Sequence, residues 1–268
     1  MDRAAPDPLQ AIRGRIDAID EKMHRLLIER SGVIAELIET KGTSKPGDAF
    51  RPDREADMMR RMVMRHEGRL PLVTVEHIWR EIITTFTAMQ APFGIAAGPA
   101  DDNLAMRDLI RFYFGFSIPV SNCSTAEEAI ERVARSGKDV ALVAQGAAGR
   151  WWTGLAGPAA PKIFAKLPYI EVPARPAHLP AYVIGPPLKE VPVPDVRVLA
   201  LHKAPGSEAA VAAYGGRVAA DAGGELLVEL PVAAALDDVF GAAGVGNSDL
   251  RELGGFSQPI EFKAERVA

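Results

Sequence analysis

The chain has 268 residues, 48% of them hydrophobic and 25% charged, with one cysteine and a formal net charge of −4. That length supports two or three domains, each with a core, and the mild acidity argues against a dedicated nucleic-acid binder. One cysteine excludes an intrachain disulfide and a cysteine metal cluster, no apolar run nears the roughly 20 residues of a membrane span, and the opening MDRAAPDP lacks a signal-peptide core, so the reading is a cytoplasmic protein.

Leu9 to Thr40 runs without proline and reads as one long helix. Leu9, Ile12, Ile16, Ile19, Met23, Leu26, Val33 and Leu37 recur in alternating steps of three and four, the seam of a helix that packs along its length. Arg30 falls in a slot where that rhythm calls for an apolar residue. Lys41 returns to nearly the same face, because eleven steps of about 100° make almost three turns. Cations on a core-facing stripe cost several kcal/mol unless an anion meets them. The pattern therefore points to a site for a small, multiply charged acid. Arg13 lies seventeen residues before Arg30, about 100° away around the helix, so it suits a pocket in a partner chain.

Gly42 to Phe50 is a turn-rich linker. Pro52 then starts a second helix, with Asp53 and Glu55 in its first turn, an apolar stripe of Met58, Met59, Met62 and Val63, and Gly68 as C-cap. A third helix takes Thr74 as N-cap, carries Ile78, Ile82, Ile83, Phe86 and Met89, and ends near Gln90. Residues 1–92 hold fifteen Lys/Arg and fifteen Asp/Glu, so their positive features are local.

From Phe93 the composition shifts to Ala, Gly, Pro and Val. Asn103–Gly115 reads as a helix, and Ser124–Thr125 with Glu127–Glu128 is a capping-box signal for another, ending near Arg135. Asp139–Ala144 and Ala181–Gly185 read as buried strands, with proline dense from Pro158 to Pro194. Beyond lies strand Val196–Leu201, helix Ser207–Ala213, strands Arg217–Ala222 and Glu225–Leu230, helix Val232–Ala243 and strand Arg251–Phe256. That βαββαβ order suits a small ferredoxin-like domain.

The segments LQAIRGRIDAIDEKMHRLLIERSGVIAELIETK, FRPDREADMMRRM and IWREIITTFTAMQ resemble, in order and spacing, the all-helical class of chorismate mutase. The resemblance covers about residues 8–92 and extends to the mutase domain that bacterial P-proteins fuse to prephenate dehydratase. It implies a cofactor-free Claisen rearrangement of chorismate to prephenate, in phenylalanine and tyrosine biosynthesis. As the C–O bond breaks, the ether oxygen gains negative charge, and preorganised cations stabilise it without an acid–base pair. Holding the substrate in its compact conformation adds an orientation effect. By matching position, the resemblance gives Arg30 a substrate carboxylate, and Arg13 a carboxylate from the other protomer of a homodimer with shared sites. Arg54 would support the second carboxylate, Lys41 and Gln90 would donate to the ether oxygen, and Glu55 would accept from the ring hydroxyl. Arg51 and Phe86 depart from the family pattern, which has a carboxylate and a small or polar residue at those slots. Taken singly, the same residues have plainer readings: Arg13 as a solvated arginine, Lys41 as a cation at a helix C-terminus, Arg54 and Glu55 as an exposed pair.

The segment SIPVSNCSTAEEAIERVARSGKDVALV resembles prephenate dehydratase, and residues 197–260, ending LGGFSQPI, resemble the regulatory domain that follows it in P-proteins. The chain reads AQGAAG after ALV, where working dehydratases have a Glu-Asn-Ser run, and a Thr-Arg-Phe motif is missing. A degenerate, inactive dehydratase-like module is expected. Cys123 before a helix N-terminus and the Trp151–Trp152 pair read as structural ahead of catalytic or ligand-binding, and the five histidines show no metal spacing.

The expected architecture is multidomain, α plus α/β. It has a three-helix, intertwined-dimer mutase domain over 1–92, a degenerate dehydratase-like α/β lobe over 93–195 and a ferredoxin-like domain over 196–268. Isochorismate–pyruvate lyase activity, or a non-catalytic regulatory or scaffold role, stays open beside the mutase reading. So do three roles for the C-terminal region: binding an aromatic amino acid effector, stabilising the dimer, or docking another pathway enzyme.

Overall fold

The computed structural model describes residues 7–41, 50–173, 175–188, 193–243 and 250–262. The expected linker from Gly42 lies outside the described residues as far as position 49. The chain forms two compact units, divided between Ser44 and Lys45.

The first unit is a single helix, α1 (Pro8–Lys41), 34 residues and about 51 Å long. Asp7 begins it by accepting from the Leu9 N–H at 3.0 Å. Its apolar seam is formed as the periodicity requires, yet Leu9, Ile12, Ile16, Ile19, Met23, Leu26 and Val33 are 51–62% exposed in this chain.

The second unit opens with α2 (Pro52–Arg65), which buries Ala56, Met59 and Met62. Its C-cap is His66, so the expected cap Gly68 sits two residues beyond, at φ 89° in the following turn. Helix α3 (Leu72–Gln90) starts earlier than expected, after Pro71. Thr74 lies inside the first turn and its N–H bonds the Pro71 carbonyl at 3.0 Å, so it is no N-cap. The buried face of α3 also differs from the expected stripe. Ile78 and Met89 are exposed, whereas Glu76, Arg80, Thr84 and Thr87 are buried beside Leu72, Ile83 and Phe86.

A nine-stranded mixed sheet follows. β1 (Ile95–Ala97) lies between β2 (Val120–Asn122) and β3 (Val140–Ala144), parallel to both. The crossovers are α4 (Asn103–Phe114) and α5 (Ala126–Ser136). Asp102 caps α4 by accepting from Leu104 and Ala105 N–H groups. α5 carries the anticipated capping box: Thr125 Oγ1 accepts from the Glu128 N–H at 3.0 Å, and the Glu128 carboxylate accepts from the Ser124 N–H at 2.6 Å. The proline-dense stretch hides β4 (Lys162–Leu167) and β5 (Ile170–Glu171), and β6 (Ala181–Gly185) pairs antiparallel with both β3 and β4.

The C-terminal part runs β7 (Val196–His202), α6 (Ser207–Ala213), β8 (Arg217–Ala222), β9 (Glu225–Pro231), α7 (Leu236–Ala243) and β10 (Leu250–Phe256). The order of elements is as read from sequence, and the strands lie antiparallel as β10-β7-β9-β8. Helix α7 begins at Leu236, not Val232, because a turn closed by the Ala234 N–H on the Pro231 carbonyl comes first. A final strand, β11 (Ile260–Glu261), pairs with β5.

The two halves of the sheet join at one place, where Gly254 of β10 registers with Ile163 of β4. Gly254 has φ 127°, and a Cβ there would strike the Ile163 carbonyl, so the join is a backbone-to-backbone approach that only glycine permits. Side chains reinforce it. Glu225 and Glu229, four residues apart on β9, share a strand face. Glu225 accepts from Arg150 at 3.0 Å, the indole N–H of Trp152 at 2.8 Å, and Arg251. Glu229 accepts from Arg217 at 2.7 Å, Lys166 at 3.0 Å, Gln145 at 3.1 Å and the Tyr182 hydroxyl. Trp151 and Trp152 are fully buried and pack the core beneath.

A second buried polar cluster ties α3 to the α/β part. Arg175 pairs with Glu76 at 3.1 Å, with side chains 1% and 0% exposed. The Tyr113 hydroxyl donates to Glu76 at 3.0 Å and accepts from Arg175 at 2.7 Å and from the Tyr169 N–H at 3.3 Å. Arg175 also donates to the Ile170 carbonyl.

Burial pushes Glu229 up, but hydrogen bonds from Arg217 and Tyr182 and the charge of Lys166 outweigh it and hold the carboxyl below the usual range. A carboxylate depressed by folding contributes stability that is present above its unfolded pKa and is lost as pH falls through the folded value. Urea unfolding should therefore show stability falling as pH drops below about 4. Glu229→Gln should lower stability at neutral pH by about 3 kcal/mol and flatten that acid limb. An unchanged acid limb in the variant would count against this account.

Candidate functional site

Three of the six expected site residues are on α1. Arg13 is exposed and Arg30 half-buried. Lys41 is the last helical residue, its side chain outside the described set. Arg30 and Lys41 share a face, about 16 Å apart along the axis, and Arg13 lies off that face. The other three belong to the second unit. Arg54 and Glu55 sit in the first turn of α2, Arg54 exposed and Glu55 half-buried. Gln90 closes α3 and donates its amide to the Phe86 carbonyl at 3.0 Å. The departing residues are also placed: Arg51 donates to the Phe50 carbonyl at 3.4 Å, and Phe86 is buried in α3.

The structure adds a residue that the sequence reading missed. Arg80 of α3 pairs with Glu55 at 2.7 Å and is 3% exposed. Its Nε donates to the Tyr113 carbonyl at 3.4 Å, and its guanidinium lies 5.0 Å from the Tyr169 ring centroid. Burial alone would push the Arg80 pKa down; the Glu55 carboxylate and hydrogen bond reverse this and raise it. The signal was present in the sequence. Glu76, Arg80, Thr84 and Thr87 fall at steps of four, four and three, so they share one helix face. A polar set at helical spacing reads as a solvated face unless its partners, far along the chain, are known.

A cavity of about 420 Å³ lies at the carboxyl ends of β1 and β2, lined by Gly98, Asn103, Arg107, Asn122, Cys123 and Ser124 among others. Open parallel sheets place ligand crevices at such ends. Here the two arginines and both helix N-termini already have protein partners. Arg107 pairs with Asp108, Arg111 donates to the Gly115 and Phe116 carbonyls, and both helix N-termini are capped. Burial, then Glu128, pushes the Cys123 thiol up, in keeping with a structural thiol. Gln145, the second residue of the AQGAAG run, donates to Tyr182 and Glu229. Among the described residues, no cluster of His, Cys, Asp or Glu could hold a metal ion, and no helix is long and apolar enough to cross a membrane.

Comparison with known proteins bears on the helical part. The family model Chorismate mutase type II matches residues 12–91, the stretch that holds all six site residues and Arg80. The bifunctional chorismate mutase/prephenate dehydratase of Neisseria gonorrhoeae is 31% identical over 121 residues, 45% of this chain and 32% of that protein. The enzyme of the same name from Pseudomonas aeruginosa is 26% identical over 144 residues, 52% of this chain and 39% of its own. The chain thus spans roughly a third of the length of the curated relatives it matches. A solved prephenate dehydratase from Arthrobacter aurescens, in complex with L-Phe, aligns over 62% of this chain and 90% of its own at a TM-score of 0.41 and 10% identity. The N-terminal third of the chain, residues 12–91, is therefore similar to the chorismate mutase type II family.

Proposed function

We propose that the protein is a chorismate mutase, converting chorismate to prephenate without a cofactor in aromatic amino acid biosynthesis. The observation that carries this is the family match over residues 12–91, within which Arg13, Arg30, Lys41, Arg54, Glu55 and Gln90 all keep the charge or amide the reaction needs. In this reading Arg30 and Arg54 hold the two carboxylates, Lys41 and Gln90 donate to the ether oxygen, and Glu55 accepts from the ring hydroxyl. The exposed seam of α1 supports a homodimer. Seven apolar side chains more than half exposed along about 36 Å form a face that a second copy would bury. Arg13 then serves the partner's site.

The remainder is divided as a degenerate dehydratase-like lobe over 93–195 and a ferredoxin-like regulatory module over 196–268. The strand order β10-β7-β9-β8 with two helices supports the module, for which an aromatic amino acid is the proposed effector. Gln145 engaged with Glu229, and capped helix ends at the β1–β2 crevice, support an inactive lobe. The single cysteine and the biosynthetic reading support a reducing, cytoplasmic setting.

Purified full-length protein should consume chorismate and yield prephenate, and Arg30→Ala should lose about 10²–10³-fold in turnover. Salicylate and pyruvate from isochorismate instead would identify a lyase, and turnover of neither substrate by a folded dimer would identify a regulatory protein. An equimolar, exchanged mixture of Arg13→Ala and Arg30→Ala chains should regain part of the lost activity. No recovery would show that each chain completes its own site. Prephenate incubated at neutral pH should give phenylpyruvate at the blank rate only, and a faster rate would sink the degenerate-lobe reading.

A further inference from the structure

Glu55 is a proposed substrate contact whose side chain is held by a buried cation. Arg80, at 3% exposure, cannot itself meet a substrate arriving from solvent, so any effect it has on chemistry must pass through Glu55. The guanidinium is fixed on three sides. Nη1 is on Glu55 at 2.7 Å. Nε is directed at the Tyr113 carbonyl, in the last turn of α4, where helical carbonyls lack intrahelical partners and carry partial negative charge. The same carbonyl accepts from Thr84 Oγ1 at 3.0 Å, one turn along α3 from Arg80. The plane of the cation rests against Tyr169 at 5.0 Å and Tyr113 at 5.9 Å.

The two tyrosines are themselves held. The Tyr113 hydroxyl bridges Glu76, Arg175 and the Tyr169 backbone N–H. A continuous chain of buried contacts thus runs from Arg175, through Tyr113 and Tyr169, to Arg80 and Glu55. Two of its links, α4 and the residues Tyr169 and Arg175, come from the α/β region and not from the segment that matches the mutase family. We propose that Arg80 is a positioning residue that orients Glu55 toward the substrate hydroxyl, and that the α/β region sets its geometry through Tyr113 and Tyr169. This rests on the mutase reading above. It gives the α/β region a role in the reaction that needs no activity of its own: it supplies the wall against which a mutase residue is aimed.

The test is a double-mutant cycle on the full-length protein, read as separate KM and kcat for chorismate. Glu55→Gln should raise KM about tenfold, the effect of one charge-assisted hydrogen bond. Arg80→Met should raise KM by a similar factor with kcat changed less. The double variant should stay near tenfold, because both changes remove the same oriented carboxylate. Arg80→Lys should restore part of the loss. Tyr169→Leu, which leaves the pair in place but removes the ring beneath it, should raise KM severalfold in wild type and not at all over Glu55→Gln. If Arg80→Met fails to fold, Arg80→Lys and Tyr169→Leu complete the cycle. Multiplying effects, near a hundredfold in the double variant, or a loss confined to kcat that follows melting temperature, would overturn the proposal and leave the mutase reading intact. A wild-type protein without chorismate turnover would overturn both.

Discussion

The ion pair between Glu76 and Arg175 joins residues ninety-nine positions apart and is cut off from water on both sides. Two buried charges are tolerable only when each is met by the other and by further hydrogen bonds. Tyr113 and the Ile170 carbonyl supply those bonds here. Burial pushes the Glu76 carboxyl up, against the opposing pull of Arg175 and Tyr113. The consequence is architectural. Helix α3 cannot turn its polar face elsewhere without stranding a charge, so it is committed to α4 and to the segment after β4. Arg80, on the same face, is delivered to Glu55 by that commitment.

The same device appears at the other end of the sheet. Glu225 and Glu229 lie on one face of β9 and gather donors from Arg150, Trp152, Lys166, Gln145 and Tyr182, which come from the preceding α/β lobe. Charge pairs make the join specific where apolar contact alone would allow sliding. Gly254 makes it close, since the two backbones meet without an intervening side chain. One sheet therefore runs through both the 93–195 stretch and the β7–β10 stretch that follows it.

The legible part of the sequence was the part governed by local rules. The α1 seam, Pro52 at the start of α2, the Thr125–Glu128 capping box and the βαββαβ order all depend on residues within a few positions of one another. What escaped depended on partners far along the chain. β1 has three residues, too few for a period to register, and β4 is masked by flanking prolines. The face of α3 was misread because Ile78 and Met89 look like core and Arg80 looks like surface. Tertiary partners, Tyr113, Tyr169 and Arg175, reverse that order of preference. Among site residues, Arg30 was legible because an arginine broke an apolar rhythm. Arg80 broke none, since its neighbours at helical spacing are polar too.

The buried polar face of α3 also bears on how this gene segment can be reused. Glu76 of the third helix has its ionic partner, Arg175, encoded ninety-nine codons downstream, whereas Glu55, the partner of Arg80, lies upstream on α2. Recombination just after α3 would carry Glu76 into a host lacking Arg175 and Tyr113, stranding a carboxylate shaped for an interior, and would strip Arg80 of its two tyrosines. Helices α2 and α3 are consequently portable only together with α4 and the residues Tyr169 and Arg175.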